Sequence, residues 1–442
     1  MLPERSAGTL DFKFPDHFSS ASPDADAGTN WTSKFNDPNL SDLVQKGLND
    51  NFDLKVVAAR VTAARELAVI VGSSRAPQLF FSPGYQRSRD STIGETGQFS
   101  ALFNLSWELD VWGRIKASQE AALEDAVAVG EDYRAARLSL AARIAQVYFE
   151  WREAKLQAEV AAQSVKDRGV IVELVRGRFN KGLTRGLDLR LALTDVANAE
   201  AQAAESQNAM QILQKLLVTL LGCYPTDLDA LDSSAPENAL ANAVLPQPPI
   251  ALAAGLPSEL LTRRPDVVAA FKRLQAGDQR LSSSEKALLP RITLTAAGGS
   301  VGAALADIVD PRAAAWNLAA GLVQPLFTGD RLQADIRLKQ ANVGEAFNQY
   351  QSVALNAFRE VEQALAAESR FREQEQALRE AVSHTEASRK LAVYSYRQGL
   401  IEILTLLDSY RSTLNAQSAH LAVQRQLLTN RISLYLALGG AV

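Results

Sequence analysis

The run Gly329–Gly399, GDRLQADIRLKQANVGEAFNQYQSVALNAFREVEQALAAESRFREQEQALREAVSHTEASRKLAVYSYRQG, decides the fold. From Gly329 to Gln398 it holds no proline and one further glycine, Gly344, so nothing in it ends a helix. A helix of that length spans on the order of 100 Å at 1.5 Å rise per residue. Its apolar positions step by three and four through Val343, Ala346, Tyr350, Val353, Ala357, Val361 and Ala364. Gly399 breaks the run. A second helix starts near Leu404 and carries Leu407, Leu414, Leu421, Leu428 and Tyr435 at sevenfold spacing. Such spacings predict a coiled-coil hairpin rather than a compact globule.

The same hairpin occurs earlier in the chain. Gly182 and Gly399, Phe179 and Tyr396, and Gly222 and Gly439 all share an offset of 217 in sequence number. Pro77 and Pro290 are offset by 213, as are Asp53-Leu54 and Asp266-Val267, while Gly113 and Gly329 are offset by 216. A near-constant offset means an internal duplication. Each copy reads short helix, two strands, very long helix, turn and medium helix. The expected division is an extended arm at 1–38, a first repeat at 39–222, a linker at 223–256 and a second repeat at 257–440.

The period changes to two at Phe99–Asp110. Phe99, Ala101, Phe103, Leu105, Trp107 and Leu109 lie on one face, against Ser100, Leu102, Asn104, Ser106, Glu108 and Asp110. About twelve such residues match a tilted strand crossing a bilayer. A partner runs from Leu79 to about Arg89, weakened at its centre by Pro83, with Asp90–Gly97 as the turn. Ile292, Leu294 and Ala296, then Trp316, Leu318, Ala320 and Leu322, repeat the pattern more faintly. A soluble sheet with one face on a core is the commoner fate of such strands. Here no other apolar surface is available to cover them, and four strands cannot close a barrel. Several chains pooling their strands would remove the edges.

The first long helix is expected from about Gly113 to Asn180, rich in alanine. Asn39 or Ser41 is the expected cap of the first short helix, running to about Ser73, and Ser258 that of the second. Trp31 and Phe35 are expected to pin a proline-bearing N-terminal arm. Prolines 225, 236, 246, 248 and 249 mark the linker.

Composition excludes several function classes. A net charge of −4 without a run of like charges gives no case for nucleic acid. His17, His384 and His420 are scattered, and no Cys or carboxylate cluster joins them at ligand spacing, so no metal or other cofactor is expected. Cys223, the single cysteine, reads as a small buried residue. No nucleophile–base set, Walker A or dinucleotide fingerprint is present, so no enzyme is expected. No apolar run reaches transmembrane-helix length. The stretch Met1–Gly8 lacks the apolar core of a signal peptide, which fits a mature form or a cytoplasmic protein.

Four stretches carry a specific resemblance: Trp31 with Phe35-Asn36-Asp37-Pro38-Asn39-Leu40; Leu105-Ser106-Trp107-Glu108-Leu109-Asp110-Val111-Trp112-Gly113-Arg114; Gly255-Leu256-Pro257-Ser258-Glu259-Leu260-Leu261-Thr262-Arg263-Arg264-Pro265-Asp266-Val267; and Leu434-Tyr435-Leu436-Ala437-Leu438-Gly439-Gly440. Together they resemble the TolC-like outer-membrane efflux ducts, in the NodT/OprM-like branch that serves resistance-nodulation-division tripartite pumps. The resemblance implies a mainly α chain with a transmembrane β-barrel portion. It implies a homotrimer in which each chain gives four strands to a shared twelve-stranded barrel in the outer-membrane lipid and its helices form a periplasmic α-barrel. A periplasmic adaptor and an inner-membrane proton-driven transporter of the resistance-nodulation-division class would be partners, and this chain the passive exit duct.

The resemblance also assigns residues. The turns carrying Arg178, Lys181, Gly182 and Leu183, and Arg397, Gly399 and Leu400, match the adaptor-docking tips. Leu404, Asp408 and Arg411 match the constriction, where rings of each residue would form around a threefold axis. Asp408 and Arg411 are spaced i,i+3, and their pairing is the expected lock. Phe99, Phe103, Leu105, Trp107 and Leu109 would face the membrane. Members of this branch usually begin with a lipidated cysteine; none precedes Cys223 here, so either the sequence starts just past that cysteine or this member relies on its barrel alone, and lipidation is not claimed for this chain. Two other readings remain open: an exit duct of type I protein secretion, and a soluble coiled-coil scaffold. Drugs, metals and solvents are equally open as cargo, and the absence of Met-rich or His-rich tracts gives no support to a metal.

Overall fold

A computed structural model of the chain describes residues 6, 8, 10, 11, 18, 31–90, 94–227, 245–247 and 257–440. Most of the expected arm before residue 31, the strand turn at 91–93 and the greater part of 223–256 lie outside them. The element order is a 3-10 turn Trp31–Phe35, α1 Pro38–Asp50, α2 Phe52–Ser73, β1 Gln78–Asp90, β2 Gly94–Leu109, α3 Arg114–Asn180 and α4 Gly186–Leu220. Then follow α5 Pro257–Arg263, α6 Pro265–Lys286, β3 Arg291–Gly302, β4 Ala314–Val323, α7 Arg331–Arg397 and α8 Ile403–Ala437. Helix α3 and helix α7 each run 67 residues, and α4 and α8 each run 35. The chain divides into two compact units that draw on both copies of the repeat.

The first unit comprises 1–11, 57–133 and 265–354. It holds one antiparallel four-stranded sheet in the order β1-β2-β3-β4. Register aligns the apolar sets: Phe81 opposes Phe103, Phe103 opposes Gly298, and Gly298 opposes Trp316. Leu79, Leu105, Ala296 and Leu318 form the next row of the same face. Aromatic pairs tighten β1 on β2, with ring centroids 4.9 Å apart at Phe81–Phe103 and 4.5 Å at Tyr85–Phe99. The sheet differs from the sequence reading at its ends. Strand β2 begins at Gly94, inside the stretch expected as turn, and Pro83 does not interrupt β1, because β1 is an edge strand that needs hydrogen-bond partners on one side only. Beside the sheet, α6 packs between α3 and α7. Arg280 pairs with Asp125, Arg273 with Asp132, Lys272 with Glu124 at 3.0 Å, and Ser284 with Asp335 at 2.7 Å.

The second unit comprises 12–56, 134–264 and 355–442. Trp31 and Phe35 are fully buried there, Trp31 stacked on Tyr435 at 5.7 Å and Phe35 against Phe149 at 5.4 Å, which makes them the anchors expected. The caps differ from expectation. Asp37, not Asn39 or Ser41, caps α1, its carboxylate accepting from Leu40 N at 3.4 Å and from Tyr148 and Arg152 at 2.9 and 2.7 Å. Proline at the first helical position fixes the start one residue later. The same rule moves the second start to Pro257, leaving Ser258 inside α5.

Each short helix is also broken once. At Asn51 the side-chain amide donates to Leu220 O at 3.0 Å while its oxygen accepts from Leu54 N at 3.0 Å. The break at Arg264 is its equivalent in the second copy. Arg264 Nη1 donates to Ala437 O at 3.2 Å and to Glu360 at 2.7 Å. Leu220 and Ala437 are themselves equivalent, so the duplication repeats the corner down to which carbonyl is capped. Cys223, beyond that corner, is half-buried rather than buried.

Candidate functional site

The two helix turns of the second unit are built alike. In the first, Leu183 N donates to Arg178 O at 2.9 Å and Gly182 N to Phe179 O at 2.9 Å. In the second, Leu400 N donates to Ser395 O at 2.9 Å and Gly399 N to Tyr396 O at 3.0 Å. This pair of bonds is the Schellman ending, and it needs a left-handed residue. Gly182 has φ 69° and Gly399 φ 77°. Lys181, Gly182, Leu183, Arg397, Gly399 and Leu400 are all exposed.

Arg178 behaves differently from the other expected tip residues. Its guanidinium donates to Tyr396 O at 3.1 Å and Arg397 O at 3.2 Å, and stacks over the Tyr396 ring at 5.2 Å. A cation placed on the last carbonyls of α7 is favoured by the helix dipole. Arg178 therefore ties one turn to the other. That gives a physical reason for Ser395 at the equivalent place, since one tie suffices.

Helix α8 buries Ile403, Leu406 and Leu407 in a cluster with Ile171, Val175 and Ala192 of the first hairpin. That packing turns Leu404, Asp408 and Arg411 outward together, and all three are exposed on one face. The expected Asp408–Arg411 lock is not formed within the chain. Arg411 Nη2 lies 2.9 Å from Asp195 Oδ1, and Arg168 Nε lies 3.0 Å from Asp195 Oδ2. Asp195 is only 2% exposed, and its buried carboxylate outcompetes the solvated one of Asp408 for the guanidinium. Sequence reasoning missed both Asp195 and Arg168, because Asp195 and Arg411 sit in different copies of the repeat and leave no local spacing to read. Beside this pair, Arg389 pairs with Asp167, the residue before Arg168, and covers the Tyr410 ring at 5.2 Å. Burial pushes the Tyr410 phenol above its ordinary range, against the pull of Arg389, so it stays neutral at physiological pH.

In the first unit, Phe99, Phe103, Leu105, Trp107 and Leu109 share one face of β2 as expected. The face continues across all four strands. Trp316 of β4 is 82% exposed, and Leu318 and Leu322 beside it are exposed too. Among the described residues no helix is long and apolar enough to cross a membrane, and no group of His, Cys, Asp or Glu is arranged to hold a metal.

The outer membrane efflux protein family model matches residues 43–223 and 256–440, one match per copy of the repeat. The toluene efflux pump outer membrane protein TtgF of Pseudomonas putida is 33% identical over 433 residues, covering 94% of this chain and 86% of the relative. The pyoverdine export outer membrane protein OpmQ of the same species is 32% identical over 422 residues, covering 93% and 87%. Among solved structures, the open state of the MtrE outer membrane channel of Neisseria gonorrhoeae superposes with a TM-score of 0.88 at 26% identity, covering 100% of this chain and 98% of that one. With both halves matched by one model and relatives a third identical along nearly the whole length, the chain belongs to the outer membrane efflux protein family.

Proposed function

We propose that this chain is the exit duct of a tripartite efflux pump, a homotrimer whose four-stranded sheets join in one twelve-stranded outer-membrane barrel. The observation that carries the reading is the sheet itself. Its apolar face is continuous across four strands, while β1 and β4 each leave one edge unpaired within the chain. Exposed edges and an exposed apolar face both cost free energy in water, and closure in lipid with other copies removes both. On this reading the repeats at 39–222 and 257–440, joined by 223–256 and preceded by the arm at 1–38, contribute equivalent staves to a periplasmic α-barrel.

The turns at Lys181-Gly182-Leu183 and Arg397–Leu400 dock a periplasmic adaptor, which in turn meets an inner-membrane resistance-nodulation-division transporter. Leu404, Asp408 and Arg411 form the constriction, with Arg411 held by Asp195. Cargo is small and passes without a catalytic step; toluene and pyoverdine, named for the relatives, are the compounds to try first. Size-exclusion chromatography with light scattering, on protein extracted from membranes in detergent, tests the assembly. The expected species is a detergent-bound particle roughly three times the 47.8 kDa chain. A monomer that needs no detergent overturns the proposal.

A further inference from the structure

On the apolar face of the sheet, the apolar side chains stop before the strands do. In β1 the row Leu79, Phe81, Pro83 and Tyr85 continues as Arg87 and Arg89. In β2 the same face runs from Leu109 to Phe99 and then on to Gly97 and Glu95. Register places Tyr85 opposite Phe99, Arg87 opposite Gly97 and Arg89 opposite Glu95. Both strands meet their helices at the Gln78 and Leu109 end, which is the periplasmic one in this family, so Asp90 and Gly94 lie at the outer end.

The distances fit an outer-leaflet position. From Leu109 to Phe99 the apolar row climbs about 25 Å in a strand tilted by about 40°, the height of the apolar band in an outer-membrane barrel. Tyr85 and Phe99 therefore stand at its outer margin, their ring centroids 4.5 Å apart, where a ring with a polar tip belongs. Arg87 and Arg89 lie about 5 and 10 Å further out, at headgroup depth. A Cβ on Gly97 would lie 2.8 Å from Tyr85 Oη, so the glycine lets the phenol lie across the Arg87 row. Two guanidinium groups here share one carboxylate. Arg87 Nη2 is 2.6 Å from Glu95 Oε2, while Arg89 Nη1 is 4.0 Å from Oε1, beyond hydrogen-bond reach. The side chains of Arg87 and Arg89 are 67% and 81% exposed, and the row keeps one positive charge in excess. Over the same stretch the opposite face is polar but uncharged: Gln86 lies opposite Gln98 and Ser88 opposite Thr96, the last two hydroxyls 3.1 Å apart. Arg312, between β3 and β4, is neutralised by Asp310 at 2.9 Å.

We propose that Tyr85, Arg87 and Arg89 form a docking surface for the phosphorylated headgroup of an outer-leaflet glycolipid. A phosphate takes the guanidinium fork of Arg89 and a further bond from Arg87, a geometry that suits arginine better than lysine. The acyl chains of the same lipid lie on Phe81 and Phe103, below the Tyr85 ring. A lipid rather than a free anion is the occupant, because the cations stand directly above an apolar face; a soluble anion would use only the upper half of the surface. Glu95 tempers the site. It holds Arg87 in place between lipids and gives the row a carboxylate that the phosphate must displace or share.

The inference rests on the duct reading, which puts this face in lipid, and the experiment separates their failures. The detergent-extracted protein is stripped of lipid, and native mass spectrometry follows the rebinding of bis-phosphorylated lipid A and of the same lipid A without its phosphates. A third arm sets the phosphorylated lipid against inorganic phosphate. The parent is expected to prefer the phosphorylated lipid about tenfold, and Arg87→Gln with Arg89→Gln to lose that preference. Glu95→Gln, which frees Arg87, is expected to strengthen it about threefold, a gain that misfolding cannot mimic. A parent without the preference, or a double variant that keeps it, overturns the site and leaves the duct reading standing. Displacement of the lipid by inorganic phosphate at equal concentration overturns the lipid as occupant. A chain that is monomeric without detergent overturns both the site and the duct.

Discussion

At Asp195 one carboxylate meets two guanidinium groups, Arg168 from α3 and Arg411 from α8, while only 2% of its surface reaches solvent. The two arms are not equal in energy. Arg168 is buried with Asp195, so removing the anion strands a charge at a cost of about 3–5 kcal/mol. Arg411 is half-exposed, and its own arm is worth a fraction of that after solvent screening. Asp195→Ala is therefore expected to lower the thermal stability markedly and to free Arg411 at the proposed constriction. In planar bilayers the freed constriction should open more often than in the parent. Arg411→Ala, by contrast, should change conductance with little loss of stability. Equal stability losses in the two variants would show that the Arg168 arm is not the dominant one. This residue also marks where sequence legibility ends. That Leu404, Asp408 and Arg411 share one exposed helical face was legible from their spacing. The partner of Arg411 was not, because i,i+3 spacing favours Asp408 and only the packing of α8 on α4 brings in Asp195.

Helices and their endings were the most legible elements. Gly182, Gly399, Gly222 and Gly439 stood out as landmarks because each occupies a left-handed turn that other residues enter only with strain. Breaks within helices were hidden. Asn51 interrupts a pattern that reads as one helix, and what decides the break is a distant carbonyl, that of Leu220. The two helix-end glycines behind those breaks are tested by the same argument. A Cβ on Gly222 would lie 2.7 Å from Asp50 O, and one on Gly439 would lie 3.1 Å from Arg263 O. Backbone cannot move aside as a flexible side chain can. Gly222→Ala, at φ 76°, is expected to cost about 1–3 kcal/mol from the left-handed backbone alone. Gly177 on α3 is exposed, and an added methyl there would meet no neighbouring atom, so Gly177→Ala should instead gain about 0.5–1 kcal/mol. Thermal melting in detergent measures both. A neutral or stabilising Gly222→Ala would mean that the corner is not tightly packed in the assembled protein.

For the whole molecule, the sheet decides between a chain that lives in water and one that lives in lipid. Alternation at Phe99–Leu109 was plain in the sequence, but the two fainter strands were legible only as repeats of it. Their small residues, Gly298 opposite Phe103 and Ala296 opposite Leu105, make a weak pattern that gains meaning once register lines them up with Trp316 and Leu318. The two faces of β2 make opposite demands if the apolar one meets lipid. A charge at Phe103 would then lie in hydrocarbon and cost about 2–4 kcal/mol if near mid-depth, whereas a charge at the adjacent Asn104 would lie on the opposite, aqueous face and cost little. Phe103→Arg is expected to reduce the amount of heat-modifiable oligomer in outer-membrane fractions severalfold. Asn104→Arg is expected to assemble normally and to shift ion selectivity toward anions in planar bilayers. A soluble sheet packed on a partner would behave otherwise: both variants would leave selectivity untouched, and Phe103→Arg would appear in the aqueous fraction. Because both substitutions introduce the same charged side chain at adjacent positions, selectivity and fraction together read the face on which each side chain leaves the strand, beyond the Phe81–Phe103 ring contact that Phe103→Arg also removes.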